Sequence, residues 1–581
     1  MKNTKNKLSF FALLVIVIIY TGYRYSYTNV NSTLPVKQTT WDALGYYMYL
    51  PAVFIYHDVT ELSWLNSIDQ KYDLTGGELY QARKQANGKY FFKYLGGIAV
   101  LQSPFFFVAH AIALNTAYEA DGFSAPYQWA VAVGTLLYFI LALIVLRKLL
   151  LVYFKDRTVA IVLLLLTLAS NLVQYIAIDA GQSHGYLFPL YAFILYTTYK
   201  WHLKPQFKWA ILSGLIIGIA TIGRPTEAIM IFIPLLWDTH TKESAKLKWQ
   251  KVYKNRNQLY AFIVFGFIGI LPQIIYWKYA TGSFIYNVGS KWDFLTPHFR
   301  VLFGWEKGWF IYTPVSLLFV GGLFFIKKFP FRKSVITFCL LNIYIIISWH
   351  IWRYGGSYST RALVQSYPVF ALALAGIIER IEITKWKYLL YLIGIYLIGV
   401  NLFQIGQYNK TILHYDDMNR KYYAAIYLDR NPTPIDMSLL DTKEILKSEN
   451  AFTKSVLLET NMTKSLETSA HEKLQLANIK LAEVFDFGVN ENWLKIELTL
   501  KSDIGFGSST IVSELILPDT IKTNNIRINS PINFRGQYGD YAFYVNVPED
   551  FKECEFQLSI NPESGYIGFI KYLKITSLGK I

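Results

Sequence analysis

The sequence predicts a mostly α-helical polytopic membrane protein, with about eleven transmembrane helices and a C-terminal extracytoplasmic β-sandwich. Three observations carry that prediction. Of the 581 residues, 53% are hydrophobic and only 17% are charged. Apolar runs that reach or approach the roughly 20 residues needed to cross a bilayer recur between residues 8 and 405. Beyond about residue 430 they give way to short alternating stretches, the period-2 pattern of half-buried strands.

The first run, LSFFALLVIVIIYTGY, follows the basic start MKNTKNK, and YRYSYTN stands where a cleavage site would need small residues. It reads as a retained helix over about 8–24 with its N-terminus in the cytoplasm. Lys and Arg collect in cytoplasmic loops and set the rest. The run 127–152 ends in the basic RKLLLVYFKDR. If the preceding run 96–116 also crossed, that basic end would face outward. The 96–116 segment, which contains Gln102, Pro104 and His110, is therefore expected to lie along the outer interface or to be re-entrant. The runs 158–178, 185–200, 209–223, 226–238, 259–280, 312–326, 335–352, 362–379 and 386–405 then alternate, with the C-terminus outside. The arms 209–223 and 226–238 are too short to cross fully and flank GRPTE. Broken helices of this kind are tolerated where they line a cavity or lie buried in protein.

The expected organisation is a membrane domain over 1–410 with a first outer loop over 25–126, a helical or irregular connector over 411–475, and a sandwich over 476–581. Its strands are expected in IKLAEVFDF, WLKIELTL, STIVSELILP, NIRIN, YAFYVNVP, CEFQLSIN and IGFIKYLKITSL, with turns at NENW, SDIGFGS, PDTIKTNN, RGQYGD and NPESG. The net charge of +16 belongs to the cytoplasmic loops. No basic stripe marks a soluble domain, so no nucleic-acid partner is expected. Cys339 and Cys554 lie in different segments and form neither a disulfide nor a metal cluster.

Chemistry is sought where charge sits near lipid, because burying it there is costly. WDALGYYMYLP sets Asp42 among Trp41, Tyr46, Tyr47 and Tyr49. Asp42 can be an N-cap for the residues after it or a general base toward a hydroxyl. The topology gathers further groups on the outer face: Asp58, Asp179 and His184 in DAGQSHGY, Arg224 and Glu227 in GRPTE, Lys291 with Asp293 in SKWDF, and Arg353 and Arg361 in WRYGGSYSTRA. Each has a bland alternative. Asp58 can be a turn acid, Asp179 a helix-end group, Arg224 a partner for carbonyls freed by Pro225, and Arg361 a snorkelling side chain. Arginines beside a carboxylate can clamp a phosphate, and sugar donors outside the cytoplasm travel on polyprenyl phosphates.

WDALGYYMYLPAVF, GQSHGY, GRPTE and SYSTRALVQSYP resemble bacterial integral membrane glycosyltransferases of the GT-C superfamily, which includes protein O-mannosyltransferases and aminoarabinose transferases. The resemblance covers about residues 1–410. It implies that the acid after the first span, here Asp42, is the catalytic base, that Arg361 contacts the donor phosphate, and that the first outer loop carries juxtamembrane helices. Many relatives carry paired acids there; here Ala43 follows Asp42 and the next acid is Asp58, so no divalent metal and no other cofactor is expected. The implied activity is transfer of a sugar from a polyprenyl-phosphate donor to an extracytoplasmic glycan, lipid or protein. Asp58, Asp179, His184, Arg224, Glu227, Lys291, Arg353 and Arg361 are the candidate substrate-binding residues. The expected location is the bacterial inner membrane, with the C-terminal domain periplasmic. A lipid-linked-sugar flippase, for which spread intramembrane polar groups and inverted repeats would speak, and a non-catalytic envelope assembly protein are the alternatives.

Overall fold

The computed structural model describes residues 6–27, 37–467, 473–485, 491–502, 509–528, 538–551, 553–561 and 567–580. The chain divides into two compact units, Met1–Leu402 and Phe403–Ile581.

In the first unit each predicted apolar run is helical, though not always as one piece. Lys7–Tyr27, Ala125–Tyr153, Ser183–Leu203, Phe207–Gly223, Arg256–Thr281 and Arg332–Ile347 are single helices. Lys387–Asn409, the last, runs on across the unit boundary. The run 158–178 is a helix only over Asp156–Leu168 and ends in a π turn, Gln174–Ile178. The arm after GRPTE is a 3₁₀ turn, Pro225–Ile231, followed by Phe232–Leu236. Among the described residues six helices are long and apolar enough to cross a membrane, namely 7–27, 97–114, 125–153, 256–281, 361–382 and 387–409. The other predicted runs are shorter, broken or more polar among the described residues. Side chains such as Phe11, Ile18, Val264, Phe267, Leu392 and Ile395 stand exposed on these helices, as lipid-facing residues do.

Of the two expectations for 96–116, the re-entrant one needs correction. Gly97–Leu114 is one continuous helix, not a re-entrant turn. It runs antiparallel beside the first half of Ala125–Tyr153 and does not lie across it. His110 Nδ1 meets the Tyr127 hydroxyl at 2.6 Å, Phe105 packs on Gly134, and the Tyr138 hydroxyl donates to the Leu101 carbonyl. Small residues set the other close packing. A Cβ on Gly214 would stand 2.2 Å from the Phe262 carbonyl oxygen, and one on Gly218 2.3 Å from that of Gly266. Only glycines let Phe207–Gly223 and Arg256–Thr281 approach that closely.

The segment between the 7–27 and 97–114 helices folds into short helices, Asp42–Tyr47, Tyr49–Phe54 and Leu65–Tyr72, and a hairpin of β1 (Ala82–Lys84) and β2 (Tyr90–Phe92). Its core includes Leu44, Tyr47, Phe92, Phe106 and Phe123. Two bonds tie it to the 256–281 helix: Gly96 N to Gln273 Oε1 and Phe92 N to the Tyr276 hydroxyl, each 2.7 Å.

The second unit holds two four-stranded antiparallel sheets. β3 (Phe452–Glu467), β10 (Ile567–Lys580), β5 (Asn492–Ser502) and β8 (Tyr538–Val547) form one in that order. β4 (Leu474–Lys480), β9 (Glu555–Asn561), β6 (Thr510–Ile516) and β7 (Ile521–Arg527) form the other. Leu494, Ile496, Phe543 and Leu573 of the first sheet share one core with Ile511, Leu515, Phe556 and Leu558 of the second. Three expectations are corrected here. The 411–475 connector contains β3, a 16-residue strand. IKLAEVFDF starts at the end of β4 and turns into a 3₁₀ segment, Leu481–Glu483. β7 occupies most of the expected turn PDTIKTNN, and the chain reverses over Leu517–Thr520. The predicted turns SDIGFGS and NPESG lie largely outside the described residues, as does the first half of RGQYGD, whose Tyr538, Gly539 and Asp540 belong to β8.

Candidate active site

Trp41 precedes the helix Asp42–Tyr47 with φ 53°, in the left-handed region. A bulky residue there stores backbone strain of about 1–3 kcal/mol. The surroundings impose it: Trp41 N donates to the Leu74 carbonyl, Gln81 Nε2 donates to the Trp41 carbonyl, and the indole lies over Gly76, where a Cβ would come within 2.7 Å of the ring. Trp41 takes the N-cap position and Asp42 is the first residue of the helix. Its carboxylate turns inward. Oδ1 accepts from the Tyr94 hydroxyl at 2.5 Å and the Tyr80 hydroxyl at 2.9 Å, and Oδ2 accepts from Arg361 Nη2 at 2.7 Å.

Burial works against the charge on Asp42, but the Arg361 guanidinium and the two tyrosine hydroxyls outweigh it and hold the carboxyl at about 2. Burial and the Asp42 charge push both tyrosine hydroxyls up, so they remain donors. Arg361 stands at the start of the 3₁₀ turn Arg361–Ser366, and its bond to Asp42 is its one side-chain hydrogen bond among the described residues. Arg224 follows the last residue of the 207–223 helix. Among the described residues its side chain makes no hydrogen bond or ion pair, yet its charge and that of Arg361 both act on Tyr46, His184 and Tyr354. The two guanidinium groups thus share electrostatic reach over these three side chains, and Arg224 acts on Glu227 as well.

Beneath them lies a buried polar chain. The Tyr191 hydroxyl donates to Glu227 Oε2, Gln365 Nε2 donates to Glu227 Oε1 at 3.1 Å, and Gln365 Oε1 meets His184 Nδ1 at 2.8 Å. Glu227 and His184 thus belong together, but as supports of the turn that carries Arg361. The DAGQSHGY loop packs directly on the Asp42 helix: a Cβ on Gly181 would stand 2.0 Å from the Gln38 carbonyl oxygen and 2.8 Å from Ala43 Cβ. Asp179 accepts from Gln174 Nε2 at 2.9 Å and lies within the electrostatic reach of Arg24 and Arg361.

The remaining candidates lie apart from this centre in their contacts. Asp58 spends its carboxylate on the backbone N–H groups of Thr60, Glu61 and Ser63 and on the Ser63 hydroxyl, as a turn acid does. Lys291 is exposed, and Asp293 Oδ2 is shared by His298 and His350 at 3.1 and 3.2 Å. Arg353 lies over the Trp352 ring, and its carbonyl accepts from Lys307. Sequence reasoning missed Tyr80, Tyr94, Gln365 and Arg24. Gln365 and Arg24 did carry a signal, since each is a lone polar group at the edge of an apolar run. The two tyrosines carried none.

Fold and site together define a polytopic membrane protein with an acid–arginine centre built on the segment that follows its first helix. Residues 123–276 match the family model of dolichyl-phosphate-mannose-protein mannosyltransferases, a match over less than half of the chain. That family falls within the GT-C group that the sequence motifs resemble. No curated protein matches the chain. Among solved structures it is similar to ArnT from Cupriavidus metallidurans bound to undecaprenyl phosphate, at 13% identity and a TM-score of 0.42 over 72% of this chain and 69% of that one. The apo state of the same protein gives 11% and 0.40 over 71% and 68%. The arabinosyltransferase EmbB from Mycobacterium smegmatis gives 9% and 0.32 over 96% of this chain and 64% of that one. Likenesses at these scores carry no argument about activity.

Proposed function

We propose that the chain is a GT-C-type membrane glycosyltransferase that moves a sugar from a polyprenyl-phosphate donor to an extracytoplasmic glycan, lipid or protein acceptor. One observation carries the reading: a single ionised carboxylate, Asp42, is set between two tyrosine donors and a guanidinium, and the charge of Arg224 reaches the same side chains as that guanidinium. An acceptor hydroxyl would give its proton to Asp42 while its oxygen bonds to the anomeric carbon. The bond from that carbon to the phosphate oxygen breaks, and its electron pair leaves with the polyprenyl phosphate. Arg361 and Arg224 supply N–H donors for that phosphate. The family model matched by residues 123–276 is named for enzymes with a lipid-phosphate donor of this class. In this reading the centre faces the outside of a bacterial inner membrane, the N-terminus is cytoplasmic, and no divalent metal takes part. A flippase would have no need of a base.

The test is Asp42→Asn in the full chain reconstituted in lipid, assayed with a labelled polyprenyl-phosphate sugar and envelope extract as acceptor. Asparagine keeps the shape and one acceptor oxygen, for Arg361 or for the tyrosines, but cannot take the proton. Transfer is expected to fall by about 10²–10⁴-fold, with the melting transition of the variant retained. Undiminished transfer by the folded variant would overturn the assignment of Asp42.

A further inference from the structure

The Asp42 carboxylate is engaged on both oxygens, and a carboxylate in that condition is a poor base. Arg361, in contrast, is under-used. A guanidinium offers five N–H donors, and this one spends a single Nη2 bond on Asp42 while its side chain is only 14% exposed. The contact is one bond wide, not the parallel two-bond fork that arginine and an oxyanion form at their strongest. Arg224 spends no hydrogen bond among the described residues, and its charge reaches Glu227 as well as the side chains that Arg361 reaches.

We propose that Arg361 latches Asp42, and that the phosphate of a polyprenyl-phosphate donor opens the latch by taking the guanidinium, which frees Asp42 Oδ2 to receive the acceptor proton. The proposal rests on the glycosyltransferase reading above. A phosphate can engage Arg361 through two N–H groups and Arg224 through others, so it outcompetes a singly held carboxylate. Tyr80 and Tyr94 stay on Oδ1 and keep the carboxylate in place while Oδ2 opens. The base is thus uncovered only when a donor is seated. Arg361 is here a positioning residue for Asp42 as well as a phosphate ligand. The groups that face Asp42 are Arg361, Tyr80 and Tyr94 by hydrogen bond and Tyr46 and His184 by charge. Arg361 also faces Tyr175 and Asp179. The donor is a phosphodiester, which stays ionised at every pH used below, so an acid limb reports on the protein.

The test is the pH dependence of donor turnover by the full chain in lipid nanodiscs, with the concentration of a short-chain polyprenyl-phosphate sugar varied from pH 4 to pH 8. The donor kcat/KM reports the free enzyme and kcat the donor complex. With the latch, wild-type kcat/KM shows no acid limb down to pH 4, whereas kcat falls on the acid side with an apparent pKa at least one unit higher. In Arg361→Gln no guanidinium covers Oδ2 beforehand and the two tyrosines act on Oδ1 with or without donor, so the two acid limbs coincide and donor KM rises by about tenfold or more, one arginine contact's worth. Arg361→Lys keeps the charge and restores part of the separation. Coincident limbs in the wild type overturn the latch while turnover itself leaves the glycosyltransferase reading intact. Absence of any donor turnover overturns the reading and the latch with it.

Discussion

Two acids in the segment that follows the first helix show how much depends on which donors reach a carboxylate. Asp58 is followed within five residues by three backbone N–H groups and a serine hydroxyl, and all four close on it. Asp42 has no local donor; its partners come from residues 80, 94 and 361. That contrast could not be read from the neighbouring residues, since both acids sit in aromatic, turn-rich sequence. Burial opposes the Asp58 charge, but the N–H groups of Glu61 and Ser63 outweigh it and hold the carboxyl below its ordinary range. With the folded-state value depressed, the stabilisation is present above the ordinary carboxylate range and is lost as pH falls through the folded value. Asp58→Ala is therefore expected to lower stability by about 1–2 kcal/mol at pH 7, and by less as the pH is brought below 4. Transfer at saturating donor should change by no more than a few fold. Thermal melts at the two pH values and one rate measurement check this, and a large loss of transfer by the folded variant would return Asp58 to the active centre.

Among the elements, the helix pair 207–223 and 256–281 does most to place the centre. The first ends at Gly223 and Arg224, and a Cβ on Gly97 would stand 2.3 Å from Gly223 N. The second carries Gln273 and Tyr276, which hold the segment that follows the first helix. Their approach depends on Gly214 and Gly218, so even alanine at position 218 must push the helices apart. Overpacking of this kind costs about 1–3 kcal/mol. Gly22, in the 7–27 helix, has nothing within 4 Å of its Cβ position, so alanine there is expected to be neutral or stabilising by up to about 1 kcal/mol. Gly218→Ala should thus lower the melting temperature and weaken donor binding, while Gly22→Ala does neither. Equal behaviour of the two variants would remove the packing argument. These helices were legible as apolar runs, but their breaks were not. The run 158–178 stops being α-helical because distant groups take its polar atoms. Asn401 Nδ2 donates to the Leu168 and Ser170 carbonyls at 2.8 Å, and the Tyr367 hydroxyl donates to Asn171 Oδ1 at 2.6 Å.

At the scale of the whole molecule, the change from membrane helices to strands was plain in composition, yet the start of the β unit was not. β3 eluded the pattern because FTKSVLLETNMTKSLE mixes charged and apolar residues on an edge strand, where one side lacks a neighbour and alternation is weak. In the structure it pairs with β10 along its length, from Phe452 opposite Lys580 to Glu467 opposite Ile567. The residues before it are bound too: Asp441 accepts from Arg527 N and Nε, Glu444 from Asn524, and Glu449 from the Tyr544 hydroxyl. A fragment that starts at residue 476, as composition alone would suggest, lacks β3 and leaves the 14 residues of β10 as a bare edge, a template for pairing with another chain. It also leaves Arg527 without its carboxylates. A fragment over 411–581 keeps the whole sheet order and these ion pairs. The longer fragment is expected to be monomeric, with β-type circular dichroism and a cooperative melt, and the shorter one to aggregate or unfold without a transition. A monomeric, cooperatively melting 476–581 fragment would show that β3 is an accessory to the two sheets and not part of the unit they form.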